Sequence, residues 1–444
     1  MALPVPVPTP RRALAAAAAA LAVFTVLGVA APAAQAAPPA TDVPAEAAAG
    51  WLARQFVDGT HLETELGGVG YPDAGLTVDA VFAFAAAGVS GDTAGAALSW
   101  LGEPANLETY VGNGTTDSYP GALAKLALAA QVEGEDPTAF GSPAVDLLTR
   151  LRALLTASGR FSDKSSFEPY VDYSNAFGQS YAVLALERAG AAPPTAVTYL
   201  VGSACPGGGF PLNFEQATCT PDTDATGLVV QALVAAGDTD AAAAGVSWLL
   251  SQQRADGSFG GGVSTEGANA NSTGLAGQAL RVAAETTAAG EAAAYLRSLQ
   301  LGCAAPAQQR GAIAYDANGF DQASAPRATA QAVLGLTGPG LLTLDGTGAT
   351  AAGPELACAP APTTTAPPTT AAPTTAVPTT VPTAVPTTVV PTPVPVPTGP
   401  PPGFGGMLPA TGADPVPLAW FGVALVGAGT VLLLLARRRR PAGR

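Results

Sequence analysis

Six large residues recur at a near-constant interval along the first three quarters of this chain. They are Trp51 in "GWLARQ", Trp100 in "LSWLG", Leu148 in "DLLTRL", Tyr199 in "VTYLVG", Trp248 in "VSWLLSQQ" and Tyr295 in "AAYLRSLQ". The intervals are 49, 48, 51, 49 and 47 residues. A period of this length marks an array of like supersecondary units, each unable to bury its apolar face alone. Residues 43–344 are thereby one repeat domain rather than one conventional core.

Each unit has the same grammar. A helix holding the marker residue comes first. A glycine-rich loop with an aromatic follows: "GGVGYPD", "VGNGTTDSYPG", "SGRFSD", "GGGFPLNF", "DGSFGGG" and "GAIAYDANGF". Then comes a small-residue helix, as in "TVDAVFAFAAAG", "DATGLVVQALVAAG" or "NSTGLAGQALRVAAE". These second helices are apolar nearly all round, the pattern of a helix buried on every side. Several begin at Asp, Asn or Thr and end in Gly, which suits an N-cap and a C′ position. Strictly alternating β-branched runs are absent, which disfavours a sheet protein. The expectation is an all-α fold of six helix pairs. An open solenoid calls for polar caps at its ends. Neither end repeat is markedly polar, so a closed ring is expected.

The stretch "VSWLLSQQRADGSFGGG…NANSTGLAGQALRVA" resembles the prenyltransferase and squalene-cyclase repeat: helix, Gln, Asp-Gly-Ser-aromatic, then a polar-led inner helix. Phe259 stands where cyclases usually have Trp. The resemblance covers roughly residues 43–344 and implies a single (α/α)6 toroid, six inner helices inside six outer ones. It does not choose an activity. Class II cyclases protonate through Asp-x-Asp-Asp, and the nearest match is Asp222-Thr223-Asp224-Ala225, without the last acid. Those cyclases also use two toroids. Protein prenyltransferases hold zinc through Asp, Cys and His. Complement-like thioester domains need Gly-Cys-Gly-Glu-Gln, which is absent. The vitamin-B12 carriers have a similar toroid with an added β-domain, for which no room is left.

Glycan-processing (α/α)6 enzymes need paired carboxylates about 5–9.5 Å apart. Acids near inner-helix starts are Asp79, Asp117, Asp172, Asp222, Asp224 and Asp321, with Asp222 and Asp224 the catalytic candidates. A toroid gathers these helix starts at one rim, where the same acids also serve as caps. Tyr71, Tyr119, Tyr173, Phe210, Phe259 and Tyr315 either line a cavity there or plug the rim as core. Candidate ligand-binding residues are Asp79, Asp117, Tyr119, Tyr173, Asn175, Asp224, Asn271 and Tyr315. His61 is the only histidine, so neither a zinc site nor a Ser-His or Cys-His nucleophile is expected, and no cofactor.

The ends carry addresses. Arg11 and Arg12, an apolar stretch from Ala13 to Ala31 and the pattern Ala34-Gln35-Ala36 make residues 1–36 an expected signal peptide, removed by signal peptidase. Residues 360–407 form a Pro/Thr-rich stalk, expected to be disordered or extended and to suit O-glycosylation. Leu408-Pro409-Ala410-Thr411-Gly412 precedes an apolar run at 418–436 and a basic tail at 437–444. A run of that length nearly spans a bilayer, which makes it the expected transmembrane helix. The tripartite order resembles the sorting signal of Gram-positive surface proteins. That resemblance implies cleavage by sortase between Thr411 and Gly412 and transfer to a peptidoglycan precursor, with membrane attachment only before sorting.

Between the processed ends, residues 37–411 carry 12 basic and 32 acidic side chains, a net charge of −20. Such a surface repels nucleic acid. Four cysteines in an exported chain allow three pairings. Sequence proximity favours Cys205–Cys219 and Cys303–Cys358, the second fastening a C-terminal extension at 345–359. The functional expectation is a secreted, wall-anchored protein whose toroid head binds a small apolar ligand, a glycan or a surface partner. The alternative is a secreted enzyme, glycan-active or cyclase-like, with rim acids as its machinery.

Overall fold

The computed structural model describes residues 38–262 and 265–358. The expected signal peptide, stalk, sorting motif, membrane span and basic tail lie outside the described residues. Among the described residues are thirteen α-helices. In chain order they are α1 (Pro44–Ala53), α2 (Ala74–Ala87), α3 (Gly91–Leu101), α4 (Pro104–Val111), α5 (Pro120–Val132), α6 (Leu147–Arg152) and α7 (Ala176–Arg188). The rest are α8 (Pro194–Gly202), α9 (Thr223–Ala235), α10 (Thr239–Gln252), α11 (Ala270–Val282), α12 (Thr286–Ser298) and α13 (Ala325–Leu336). No helix among the described residues is long and apolar enough to cross a membrane.

The marker residues fall on α1, α3, α6, α8, α10 and α12, and the small-residue segments on α2, α5, α7, α9, α11 and α13. Each of the latter packs on the next, and α13 packs back on α2, so the six close into a ring. The outer helices lie outside it; α8, α10, α12 and α1 each rest against two consecutive inner helices. Closure is explicit at α1, which touches both α13 and α2.

Two side-chain devices repeat with the sequence period and explain why these segments fold as they do. Asp73, Asn175, Asp222 and Asn269 cap α2, α7, α9 and α11 by accepting from the backbone N–H three residues on. One turn further, Thr77, Gln179, Thr226, Thr273 and Thr329 accept from the loop N–H of Leu62, Phe161, Phe210, Phe259 and Ile313 at 2.9–3.0 Å. Each inner helix is thus pinned to the loop before it. In the Asp-Gly-Ser-Phe turn, Asp256 Oδ1 accepts from the Ser258 backbone and hydroxyl. Phe259 is fully buried.

Gly257 has φ +84°, and a Cβ there would land on the carbonyl oxygen of Glu291 in α12. The turn therefore needs glycine twice over, for its left-handed backbone and for the close approach to the next outer helix. Gly311 makes the same contact from the last repeat to Ala47 of α1, φ +92°. The device runs cyclically. Gln253 and Gln300 reinforce it, each donating to the loop glycine's carbonyl and to a carbonyl of the next outer helix, Ala288 and Pro44.

The structure adds features to the six-pair plan. The second repeat carries the extra helix α4, and α6 is short. Strand β1 (Ala40–Thr41) pairs in parallel with β4 (Glu355–Leu356), the last strand among the described residues, and the first loop folds as a hairpin of β2 (Glu63–Leu66) and β3 (Val69–Pro72). Residues 337–345 run beneath the ring at the end where the inner helices finish. Arg188 donates to the carbonyls of Leu341, Leu342 and Leu344, and Arg281 to that of Thr337. Both expected disulfides, Cys205–Cys219 and Cys303–Cys358, are formed, as suits an oxidising compartment.

Candidate functional site

Residues two before and two after the pinned Thr or Gln point the opposite way on a helix, at about 200°, and share one face four residues apart. The pinned residue faces the loop, so that opposite face is turned to the ring axis. The axial positions nearer the helix starts hold Gly75, Gly121, Phe177, Asp224, Asn271 and Arg327. One turn deeper are Asp79, Lys125, Tyr181, Leu228, Leu275 and Gln331.

Four charges meet on one side of the axis. Lys125 Nζ lies 2.6 Å from Asp79 Oδ1 and donates to the Gly75 carbonyl at 2.9 Å. Arg327 reaches Asp73 at 2.8 Å and Asp79 at 3.5 Å. Asp79 and Lys125 are buried. The Lys125 ammonium stands 5.7 Å from the Tyr181 ring centre. Burial first, then the charge of Asp79, pushes the phenols of Tyr110 and Tyr181 well above their ordinary range, so both stay protonated. Two acids against two bases leave no excess charge for an ionic ligand. Opposite, Asp224 is 1% exposed and Asn271 2%. Asn271 Oδ1 and Gln331 Oε1 accept no hydrogen bond among the described residues.

The candidates expected from the sequence therefore divide. Asp79, Asp224 and Asn271 are axial and buried. Asp222 caps α9, and Asn175 caps α7. The Asp222 carboxyl is raised above its ordinary value by burial, against donors from Ala225, Asp224 and Gly262. Asp321 accepts from the Ser324 N–H at the start of α13. Asp117 ties two rim loops, accepting from the Thr116 hydroxyl at 2.6 Å and the Ser166 N–H at 2.9 Å. Those bonds, the Thr116 one first, hold its carboxyl below the usual range. Tyr119 occupies the N-cap position of α5 without a side-chain cap bond, and the Tyr315 carbonyl accepts from Ala270 at the start of α11. Of the six aromatics, Phe210 and Phe259 are core, whereas Tyr71 and Tyr173 are exposed.

What reaches solvent is the rim where the inner helices begin. Ten large apolar side chains are exposed among the described residues, and seven sit on two loops there: Leu66, Val69 and Tyr71 on the hairpin, and Phe167, Tyr170, Val171 and Tyr173 in the segment before α7. The second loop is braced. Arg160 pairs with Asp172 at 3.2 Å and with Glu215 at 3.2 Å. Asp163 accepts from the Tyr173 N–H at 3.0 Å, and the Tyr170 hydroxyl donates to the Asp163 carbonyl. Burial, then the charge of Asp172, pushes the Asp163 carboxyl up to about 7.

Sequence reasoning missed Lys125, Arg327, Phe167 and Tyr170. A lone lysine inside "GALAKLALAA" was the one available signal for the axial cluster. A cavity of about 280 Å³ lies at the other end of the ring, between α9, α11 and residues 338–343. Its lining includes neither Asp224 nor Asn271.

No family model and no curated protein matches the sequence. Among solved structures, a protein from Actinoplanes is similar at 16% identity, covering 66% of this chain and 97% of that one, with a TM-score of 0.47. An unsaturated glucuronyl hydrolase specific for heparin is similar at 12% identity, covering 66% and 95%, with a TM-score of 0.47. Haptocorrin in complex with Cbi is similar at 14% identity, covering 69% and 70%, with a TM-score of 0.40.

Proposed function

We propose that this chain is a secreted, sortase-anchored surface protein whose toroid head binds a partner through the rim where the inner helices begin. One observation carries the binding reading: exposed large apolar side chains gather on two rim loops, while Asp79, Asp224 and Asn271 on the axis are buried. A monomer does not ordinarily leave such a concentration uncovered. The tripartite C-terminal signal and the two disulfides support display outside the cell.

Anchoring is tested by Thr411→Ala, which should move the protein from the wall fraction into membrane or medium; unchanged wall attachment would sink it. Rim binding is tested by hydroxyl-radical labelling of intact cells. Tyr71, Tyr170 and Tyr173 should label less on the displayed protein than on the purified chain, and equal labelling would end the reading. A second reading, a glycan-active secreted enzyme, draws on Asp163. A carboxyl pushed up to about 7 at an aromatic rim suits a general acid. It predicts that Asp163→Asn abolishes turnover of a sugar polymer while leaving the fold intact.

A further inference from the structure

The two apolar rim loops stand on α2 and α7, next-nearest neighbours in a six-membered ring. With ~8–10 Å between packed helix axes, these helices lie roughly 16 Å apart. The hairpin, about 13 Å long, widens that face. Its composition mixes rings with branched aliphatics: Leu66, Val69 and Val171 are as exposed as Tyr170 and Tyr173. Aromatic rings alone suit the flat faces of sugars. Added Leu and Val side chains suit the apolar centre of a protein surface.

Charge selects further. The exposed charged side chains of the two loops are Glu63, Glu65 and Glu168 against Lys164. The two nearby guanidiniums, Arg160 and Arg327, are already engaged with Asp172 and Asp73. The whole head carries a net charge of −20, so a second copy of this chain is repelled and a basic one attracted. We propose that the rim docks a protein surface with an apolar centre and an edge of lysine and arginine. This rests on the rim being the binding face.

The test uses the full chain, a fluorescent 20-residue amphipathic peptide of Leu, Trp and Lys, its Lys→Glu counterpart, and dextran as a neutral polysaccharide. The basic peptide should bind and lose about tenfold in affinity between 50 and 300 mM salt, as screening shortens. The acidic counterpart should bind at least tenfold more weakly. Joint Val69→Ser, Phe167→Ser and Tyr173→Ser should cost the basic peptide at least tenfold without changing the melting temperature. Equal binding of both peptides, binding that survives the rim substitutions, or no peptide binding overturns the inference. Dextran bound in place of the peptide, and lost in the rim variant, overturns the partner class while leaving the rim as the binding face.

Discussion

Glu133 shows how a single residue takes its chemistry from a distant part of the chain. It closes α5, and its carboxyl is pushed up to about 7, by burial first and then by the charges of Glu135 and Asp345. Its Oε1 accepts no hydrogen bond among the described residues and lies against Gly346. The unfolded carboxyl gives up its proton near the ordinary value of 4.5, the folded one near 7. Between those values the folded chain holds more protons, so this contribution to stability is complete at low pH and is lost as pH rises through 7. Glu133→Gln should leave the melting temperature unchanged at pH 4 and raise it at pH 8. A variant that tracks the parent at both values removes the argument. Nothing near Glu133 in sequence announces this, because the burial is supplied by the segment around Asp345, two hundred residues on. The turn "DGSFGGG" is the opposite case: its glycine and its buried aromatic are legible in place, since the next helix in space is the next outer helix in sequence.

At the scale of helices, the order and the register were readable and the inward face was not. Marker residues, loop glycines and cap residues recur with the period, and each maps to one place in the fold. An inner helix buried on all sides shows no amphipathic stripe, so periodicity does not say which residues meet on the axis. Asp79 drew attention as a carboxylate at a helix start, yet it sits beyond the first turn, among Lys125, Arg327 and two tyrosines. That cluster joins α2, α5 and α13. Asp79→Asn leaves the Lys125 ammonium buried without its carboxylate and should destabilise by about 3–5 kcal/mol. Lys125→Met leaves Asp79 on Arg327 and should cost less. Denaturant unfolding of the two variants decides this, and equal losses would remove Arg327 from the account.

For the whole molecule, closure is achieved twice. The first closure is internal: α13 against α2, and the Gly311 turn against α1. The end repeats implied it, because an open array calls for polar caps and neither end is markedly polar. The second is an outer tie that the period did not contain. Strand β1 pairs with β4, and Cys358 bonds to Cys303 just past α12. The two closures make separable predictions. A cross-link over 55 residues removes about 4 kcal/mol of unfolded-state freedom on the loop-entropy account, against about 3 kcal/mol for the 14 residues between Cys205 and Cys219. Cys303→Ser with Cys358→Ser should therefore lower unfolding free energy by about 4 kcal/mol and leave helical content at 25 °C unchanged, because the inner ring closes without the disulfide. Circular dichroism reads the helices and denaturant midpoints read the loss. A variant that loses helix under native conditions would show instead that the outer tie, not the contact of α13 with α2, holds the ring shut.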